Sequence, residues 1–446
     1  MRKLLLITFL TMAVTGQAQE VKTLTLKQAI EYALANKSDA KKAQLKIENS
    51  GYQIEEVRSR ALPQIAATGS LNYNPILQTS VIDGAGFGQP GTIIQATFGQ
   101  KWISTAGVSL TQNLFDQAVF TGLKAAKTTR EFYIINAKLT EEQVIERVAN
   151  NYYSVYVKRQ NLTVLDSTYN NTVKVKNIIQ GQYDNGLAKK IDLDRTLVKI
   201  SNIKTQRQQV LNAVQLQENA LKFYMGMPIE TAIEIPVAQF EVTPQAFTEN
   251  PNTATRTEYL LMKKQQQLLE FQKKAILAAY YPTLSLSAGY NYIGQGPEMP
   301  LGARPSQGVY WSDYSAIGLN LYVPIFTGFS TRSKVRQADV DLRSLEEDLI
   351  DTKLSLDLDY ANAKTQIENS IVTINNQQSN VKLAQEVLDN TRNNYVQGLT
   401  SLTEVLDAEN ANTEAKNNYT AAVLDYKLAE IQLIKSKGEL KTLINN

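Results

Sequence analysis

Apolar and polar residues alternate after Leu62-Pro63, with Ile65, Ala67, Gly69, Leu71 and Tyr73 on one face and Gln64, Thr68, Ser70 and Asn72 on the other. The alternation returns after Tyr281-Pro282, where Leu284, Leu286, Ala288, Tyr290 and Tyr292 oppose Thr283, Ser285, Ser287 and Asn291. A period of two is that of a strand. Four strands are predicted, at 62–74, 101–115, 283–293 and 314–323, each near the ~10 residues that a tilted transmembrane strand needs. Between the strands the period lengthens. From 333 to 395 the positions Val335, Ala338, Leu342, Leu345, Leu349, Leu356, Ala363, Ile367, Ile374, Val381, Leu388 and Tyr395 keep close to a 3.5-residue repeat. Val148, Val155, Leu162 and Tyr169 fall on one seven-residue series within 120–183. Such repeats are those of coiled-coil helices. No proline interrupts either stretch, and at 1.5 Å per residue each helix would reach about 100 Å. Each ends at a Gly-Leu turn, after which a second helical run, 191–224 or 402–444, returns alongside.

The chain is therefore written twice. Tyr183-Asp184-Asn185-Gly186-Leu187 returns as Tyr395-Val396-Gln397-Gly398-Leu399, and the strand end Asn113-Leu114-Phe115-Asp116 returns as Pro324-Ile325-Phe326-Thr327. Offsets of roughly 211 to 219 residues are far too long for a solenoid and mark duplication of a whole half-molecule. The organisation that follows is a leader at 1–18, a helical segment at 19–61 and a first β-hairpin at 62–115 with a loop at 75–100. A helical hairpin at 116–225 comes next, then a linker at 226–256 broken by Pro228, Pro236, Pro244 and Pro251. A helix at 257–281, a second β-hairpin at 282–326 with a loop at 294–313, and a second helical hairpin at 327–446 complete the chain.

One face of each strand suits lipid and the other water, the alternation of an outer-membrane barrel. Trp102, Tyr292, Tyr310, Trp311 and Tyr314 stand near strand ends, where interfacial aromatic girdles form. Four strands cannot close, because open edges in hydrocarbon leave backbone groups unpaired and the smallest spanning barrels have about eight strands. The barrel must be shared among chains. The expected fold class is mixed: a transmembrane β-barrel joined to all-α coiled-coil hairpins, with three copies making a 12-stranded barrel on a 12-helix canal. A soluble sandwich with an aromatic core is the alternative for the strands. The Asn- and Gln-rich helix faces fit a solvated coiled-coil surface or the wall of a water-filled canal.

Composition removes most other functions. With no Cys and no His among 446 residues, thiol nucleophiles, Ser-His-Asp relays and the usual zinc ligands are impossible. An enzyme is not expected, nor a cofactor or metal site. Gly84-Ala85-Gly86-Phe87-Gly88 lacks the spacing of a dinucleotide fingerprint. Arg2-Lys3, an apolar run from Leu4 to Val14 and Gly16-Gln17-Ala18 form a secretory signal cut after Ala18. The 46 Lys and Arg against 43 Asp and Glu lose Arg2 and Lys3 with the leader, which leaves a net charge of about +1 and no case for nucleic acid.

Element order, the strand ends Gln112-Asn113-Leu114-Phe115-Asp116 and Val323-Pro324-Ile325-Phe326-Thr327-Gly328, the segment 256–282 and the two Tyr-x-x-Gly-Leu turns resemble the TolC-type outer-membrane efflux proteins. The resemblance spans nearly all of the mature chain. It implies a homotrimer in the outer membrane of a Gram-negative-type cell, with a helical canal in the periplasm. A periplasmic adaptor (membrane fusion protein) would dock the canal to an inner-membrane RND or ABC-type transporter, and drugs or toxic small molecules would pass through. A type I protein-secretion outlet has the same architecture, and a non-channel coiled-coil surface protein is the remaining alternative. The resemblance places periplasmic constriction carboxylates at Glu404 and Asp407, three apart on one helix face. It also implies a gating link between Tyr395 and Asp192, and tip turns that meet the adaptor through Gly186, Leu187, Lys189, Lys190, Gly398 and Leu399. For the two acids, a solvated first helical turn is the alternative; for the two lysines, plain surface solvation. The chain departs from the family in following its strand-closing Phe with Asp116-Gln117 and Thr327-Gly328 rather than a Gly pair. Thr400 stands where the family's best-known member has Arg.

Overall fold

The structure, a computed structural model, describes residues 22–88, 90–236, 252–302 and 308–445. The expected leader and residues 237–251 of the expected linker lie outside them. A short strand β1 (Lys22–Thr23) is followed by helices α1 (Leu26–Asn36) and α2 (Ser38–Ser59). Strands β2 (Gln64–Tyr73), β3 (Thr79–Asp83), β4 (Ile93–Thr97) and β5 (Trp102–Phe115) lead into α3 (Gln117–Asp184) and α4 (Lys190–Met225). The second half runs β6 (Ile233–Glu234), α5 (Thr257–Leu277), β7 (Thr283–Gly296), β8 (Tyr310–Tyr322), α6 (Ser330–Val396), α7 (Leu402–Lys437) and α8 (Thr442–Asn445). Helices α3 and α6 have 68 and 67 residues, and α4 and α7 have 36 each. The duplication thus extends to the lengths of the elements.

Residues 48–132 and 264–346 form one compact unit, built on a four-stranded antiparallel sheet in the order β2-β5-β7-β8. Ile65 pairs with Leu110, Leu110 with Ala288 and Ala288 with Ile317. Directly opposed residues share a face, so this register joins the apolar sides of all four strands into one surface. Val108, Ile317, Leu319 and Leu321 on it are each at least half exposed in the protomer. Thr68, Gly107 and Asn291 lie on the other side. Among the aromatic residues expected near the strand ends, Trp102, Tyr292 and Trp311 lie on the apolar face, where Tyr73 joins them. Tyr73 meets Trp102 at 4.6 Å between ring centroids, and Tyr292 stacks on Trp311 at 4.8 Å. Tyr310 and Tyr314, paired with Gln295 and Asn291, take the opposite face.

The second hairpin is longer than its sequence pattern suggests, because β7 continues to Gly296 and β8 begins at Tyr310. Glycines that read as loop are instead points of close approach. A Cβ on Gly294 would stand 2.5 Å from the Trp311 ring, and one on Gly296 2.7 Å from the Gly308 carbonyl. The expected 75–100 loop likewise contains the paired β3 and β4. Two devices turn the strands into helices. Asp116 accepts the Ala118 N–H at 2.8 Å, while Gly328 and Phe329 both adopt left-handed backbone, with φ of 60° and 64°.

The other unit comprises the described residues up to 47, then 133–263 and 347–445. Its main core gathers Ile30 of α1, Ile145 and Val148 of α3, and Leu221 and Met225 of α4, all fully buried. Each such side chain contributes about 1.5–3 kcal/mol through burial. Thr25 and Gln28 close a reciprocal cap at the start of α1, and β1 pairs in parallel with β6. A second cluster packs Ile367 and Ile374 of α6 on Tyr426 and Leu433 of α7. Helix α7 stops at Lys437, short of the expected 444, because Gly438 turns left-handed (φ 77°) and its N–H closes on the Ile434 and Lys435 carbonyls.

Candidate functional site

The two helical hairpins end in the same turn. Gly186 (φ 73°) donates to the Tyr183 carbonyl at 2.9 Å, and Leu187 to that of Gln182 at 2.8 Å. In the second copy Gly398 (φ 74°) donates to Tyr395 at 3.0 Å and Leu399 to Asn394 at 2.9 Å. Glycine is favoured at the left-handed position because a Cβ there would be strained. The turns leave Leu187 81% and Leu399 71% exposed, and Lys189 and Lys190 stand in solvent beside Leu187.

Beneath the turns, Ile179 of α3, Leu193 of α4 and Leu402 of α7 form a buried cluster to which Val175, Ala188, Tyr395 and Leu406 add partial cover. Residues of both hairpins therefore share one small core. Glu404 and Asp407 are exposed on the first turns of α7. Ser401 caps that helix by accepting the Glu404 N–H at 3.4 Å, and its hydroxyl donates to Glu404 Oε1 at 3.0 Å. Thr400 donates to the other carboxylate oxygen. These bonds, that of Thr400 foremost and then those of Ser401, hold the Glu404 carboxyl below the usual carboxylate range. Thr400 thus serves its own helix start, and no charged tie is made from that position.

The Tyr395 hydroxyl donates to Gln182 Oε1 at 3.5 Å, so the hydrogen bond expected toward Asp192 goes to α3 instead. Asp192 acts on Tyr395 through its charge: burial first, and then that carboxylate, push the phenol pKa up. Arg195 of α4 reaches the Thr403 hydroxyl at 3.3 Å, a contact between hairpins that no sequence pattern singled out. A larger omission lies further from the turns. Glu409 is 2% exposed and paired with Arg392 at 2.6 Å. Its signal was present: Leu402, Val405, Glu409 and Asn412 follow the three-four spacing of an inward helix face, and two of the four are polar.

The sequence signature of the outer membrane efflux protein family matches residues 29–227 and 261–439, one segment in each half of the chain. The chain is 23% identical over 395 residues to outer membrane protein TolC of Vibrio cholerae, an alignment covering 86% of this chain and 83% of that protein. It is 22% identical over 345 residues to the alkaline protease secretion protein AprF of Pseudomonas aeruginosa, covering 75% and 69%. Among solved structures it resembles the CmeC outer membrane channel of Campylobacter jejuni, with a TM-score of 0.74 at 15% identity over 96% of this chain and 90% of that one. The outer membrane protein VceC of Vibrio cholerae gives 0.70 at 17% identity, over 93% and 96%.

Proposed function

The chain belongs to the outer membrane efflux protein family, and from that premise we propose that it is a homotrimeric outer-membrane channel that passively exports substrates. An inner-membrane transporter, joined to it through a periplasmic adaptor, would deliver them. One observation carries the reading: the register of β2-β5-β7-β8 makes a single apolar face whose two outer strands have no further partner among the described residues. In hydrocarbon those edge groups cost several kcal/mol each unless paired. Further copies of the same sheet supply the pairing, and three close a barrel of ordinary size.

The helical hairpins would continue the passage into the periplasm. Their glycine turns, with Leu187 and Leu399 outermost and Lys189 and Lys190 beside them, offer the adaptor an apolar point with a basic flank. Glu404 and Asp407 from three copies would ring the aperture, attracting cations and opposing anions. Drugs and other toxic small molecules are the substrate class proposed. Similarity to a protease secretion protein supports a second reading, a protein-secretion outlet of the same build. The transporter that co-purifies discriminates the two, since an ABC-type pump with a protein substrate would favour the second.

Detergent-extracted protein should run as a trimer and conduct ions in planar bilayers. A folded, monodisperse monomer with its full β-sheet signal, or a trimer without conductance, overturns the proposal.

A further inference from the structure

Between the apolar cluster under the turns and the one around Ile374 and Tyr426, the interior of the helical unit becomes polar. Glu409 of α7 accepts from Arg392 Nη2 of α6 at 2.6 Å on one oxygen and, on the other, from the Thr172 hydroxyl of α3 at 3.3 Å, whose proton is shared with the Thr168 carbonyl at 2.8 Å. Thr172 is fully buried. Lys199 of α4 donates to Asn410, the next residue of α7, and lies in the field of Glu409. The hydroxyls of Thr168 and Thr413 meet at 3.1 Å. All four long helices therefore send polar side chains to a layer where a coiled coil ordinarily packs apolar ones.

These contacts are of two kinds. The Arg392–Glu409 pair lies within the α6–α7 hairpin and travels with it. The bonds Thr172–Glu409, Lys199–Asn410 and Thr168–Thr413 cross to the α3–α4 hairpin and must break if the hairpins part. We propose that Glu409 is the latch residue of the channel: Arg392 holds its carboxylate in place, and the carboxylate seats the second hairpin on the first.

A polar layer suits a joint that has to reopen. Polar groups regain water on separation, so such a layer specifies register while binding less tightly than apolar packing of equal size. The same physics makes removal of one partner costly, because Arg392, 29% exposed, is left largely out of water and uncompensated. Two substitutions at this layer should therefore act in opposite directions, which a merely structural role would not produce.

The inference rests on the channel reading above, and planar-bilayer recording of the intact trimer separates the two. With wild type conducting, Glu409→Gln should raise the ratio of open to closed states by about tenfold or more, the scale of a lost hydrogen bond to a charged group whose partner, Arg392, keeps some contact with water. Thr172→Val, which removes the bond across the hairpins together with the 2.8 Å bond from the same hydroxyl to the Thr168 carbonyl of its own helix, should raise it about tenfold, since the second loss is common to both states. It also keeps the test alive should Glu409→Gln fail to assemble. The double replacement Arg392→Met with Glu409→Leu, apolar and of similar bulk, should lower the ratio below wild type. Assembled trimers of Thr172→Val and of the double variant that open as wild type does would overturn the latch and leave the channel reading standing. A wild-type trimer that conducts nothing would overturn both.

Discussion

Replacing Leu402 with Ala should open the proposed channel at its hairpin tips far more than replacing Tyr395 with Phe. Leu402 is 5% exposed and packs with the fully buried Ile179 and with Leu193, both on the first hairpin. A buried Leu→Ala change costs about 2–5 kcal/mol. Part of Leu402's cover comes from Tyr395 and Leu406 of its own hairpin and persists when the hairpins separate. If about half of the loss falls on the contact between hairpins, the bias toward closure weakens by roughly 1–2.5 kcal/mol, a factor of about 5 to 70 in the open-to-closed ratio. The Tyr395 hydroxyl, in contrast, makes one bond of 3.5 Å in a half-buried place, at the outer limit of hydrogen-bond geometry. Its loss is worth about 0.5 kcal/mol, or roughly twofold. Adding Asp192→Ala should change little, because no hydrogen bond joins that carboxylate to Tyr395. Single-channel recordings of both variants, with trimer content checked in detergent, give the comparison. Equal opening by Tyr395→Phe and Leu402→Ala, or an assembled Leu402→Ala trimer with the wild-type open fraction, would refute apolar control of the tip.

Removing both acids proposed to ring the aperture, as Glu404→Ala with Asp407→Ala, should abolish block by trivalent cations added from the side of the hairpin tips and reduce cation preference at low salt; a variant blocked as tightly as wild type would place these carboxylates away from the pore. Thr400 and Ser401 hold the Glu404 carboxyl low, so its charge persists as pH falls until the folded pKa is crossed, below the ordinary value of about 4.3. Thr400→Val raises that pKa, and its block should fade at a higher pH than in wild type; coincident pH profiles would count against the hydroxyl clamp. Gly294→Val puts a Cβ 2.5 Å from the Trp311 ring and should cost about 1–3 kcal/mol through overpacking, read as a lower dissociation temperature of the trimer, whereas an unchanged temperature would mean that the ring moves aside freely.

Local periodicity made much of this protein legible in the sequence. Alternation at Ile65 to Tyr73, the 3.5-residue repeat through Leu356 and Ile367, and the glycines at Gly186 and Gly398 each report on a few neighbouring residues, and strands, helices and turns obey such short-range rules. Duplication was visible for the same reason, since two copies of a local pattern resemble each other wherever they lie. The tertiary structure decided what depends on partners distant in the chain. Pairing of β5 with β7 aligned four apolar faces into one, and the register of β7 with β8 sent Tyr310 and Tyr314 to the polar side, although both stand near the start of a strand as Trp311 does. Gln182 of α3 rather than Asp192 of α4 received the Tyr395 hydroxyl, a choice between two helices of the first hairpin that depends on how the second packs against them. Glu409 could be seen in the sequence as a charge at an inward position. That its charge is met by Arg392 and its second oxygen by Thr172 follows only from how helices are brought side by side, for a one-residue rotation of either neighbour would point those groups elsewhere.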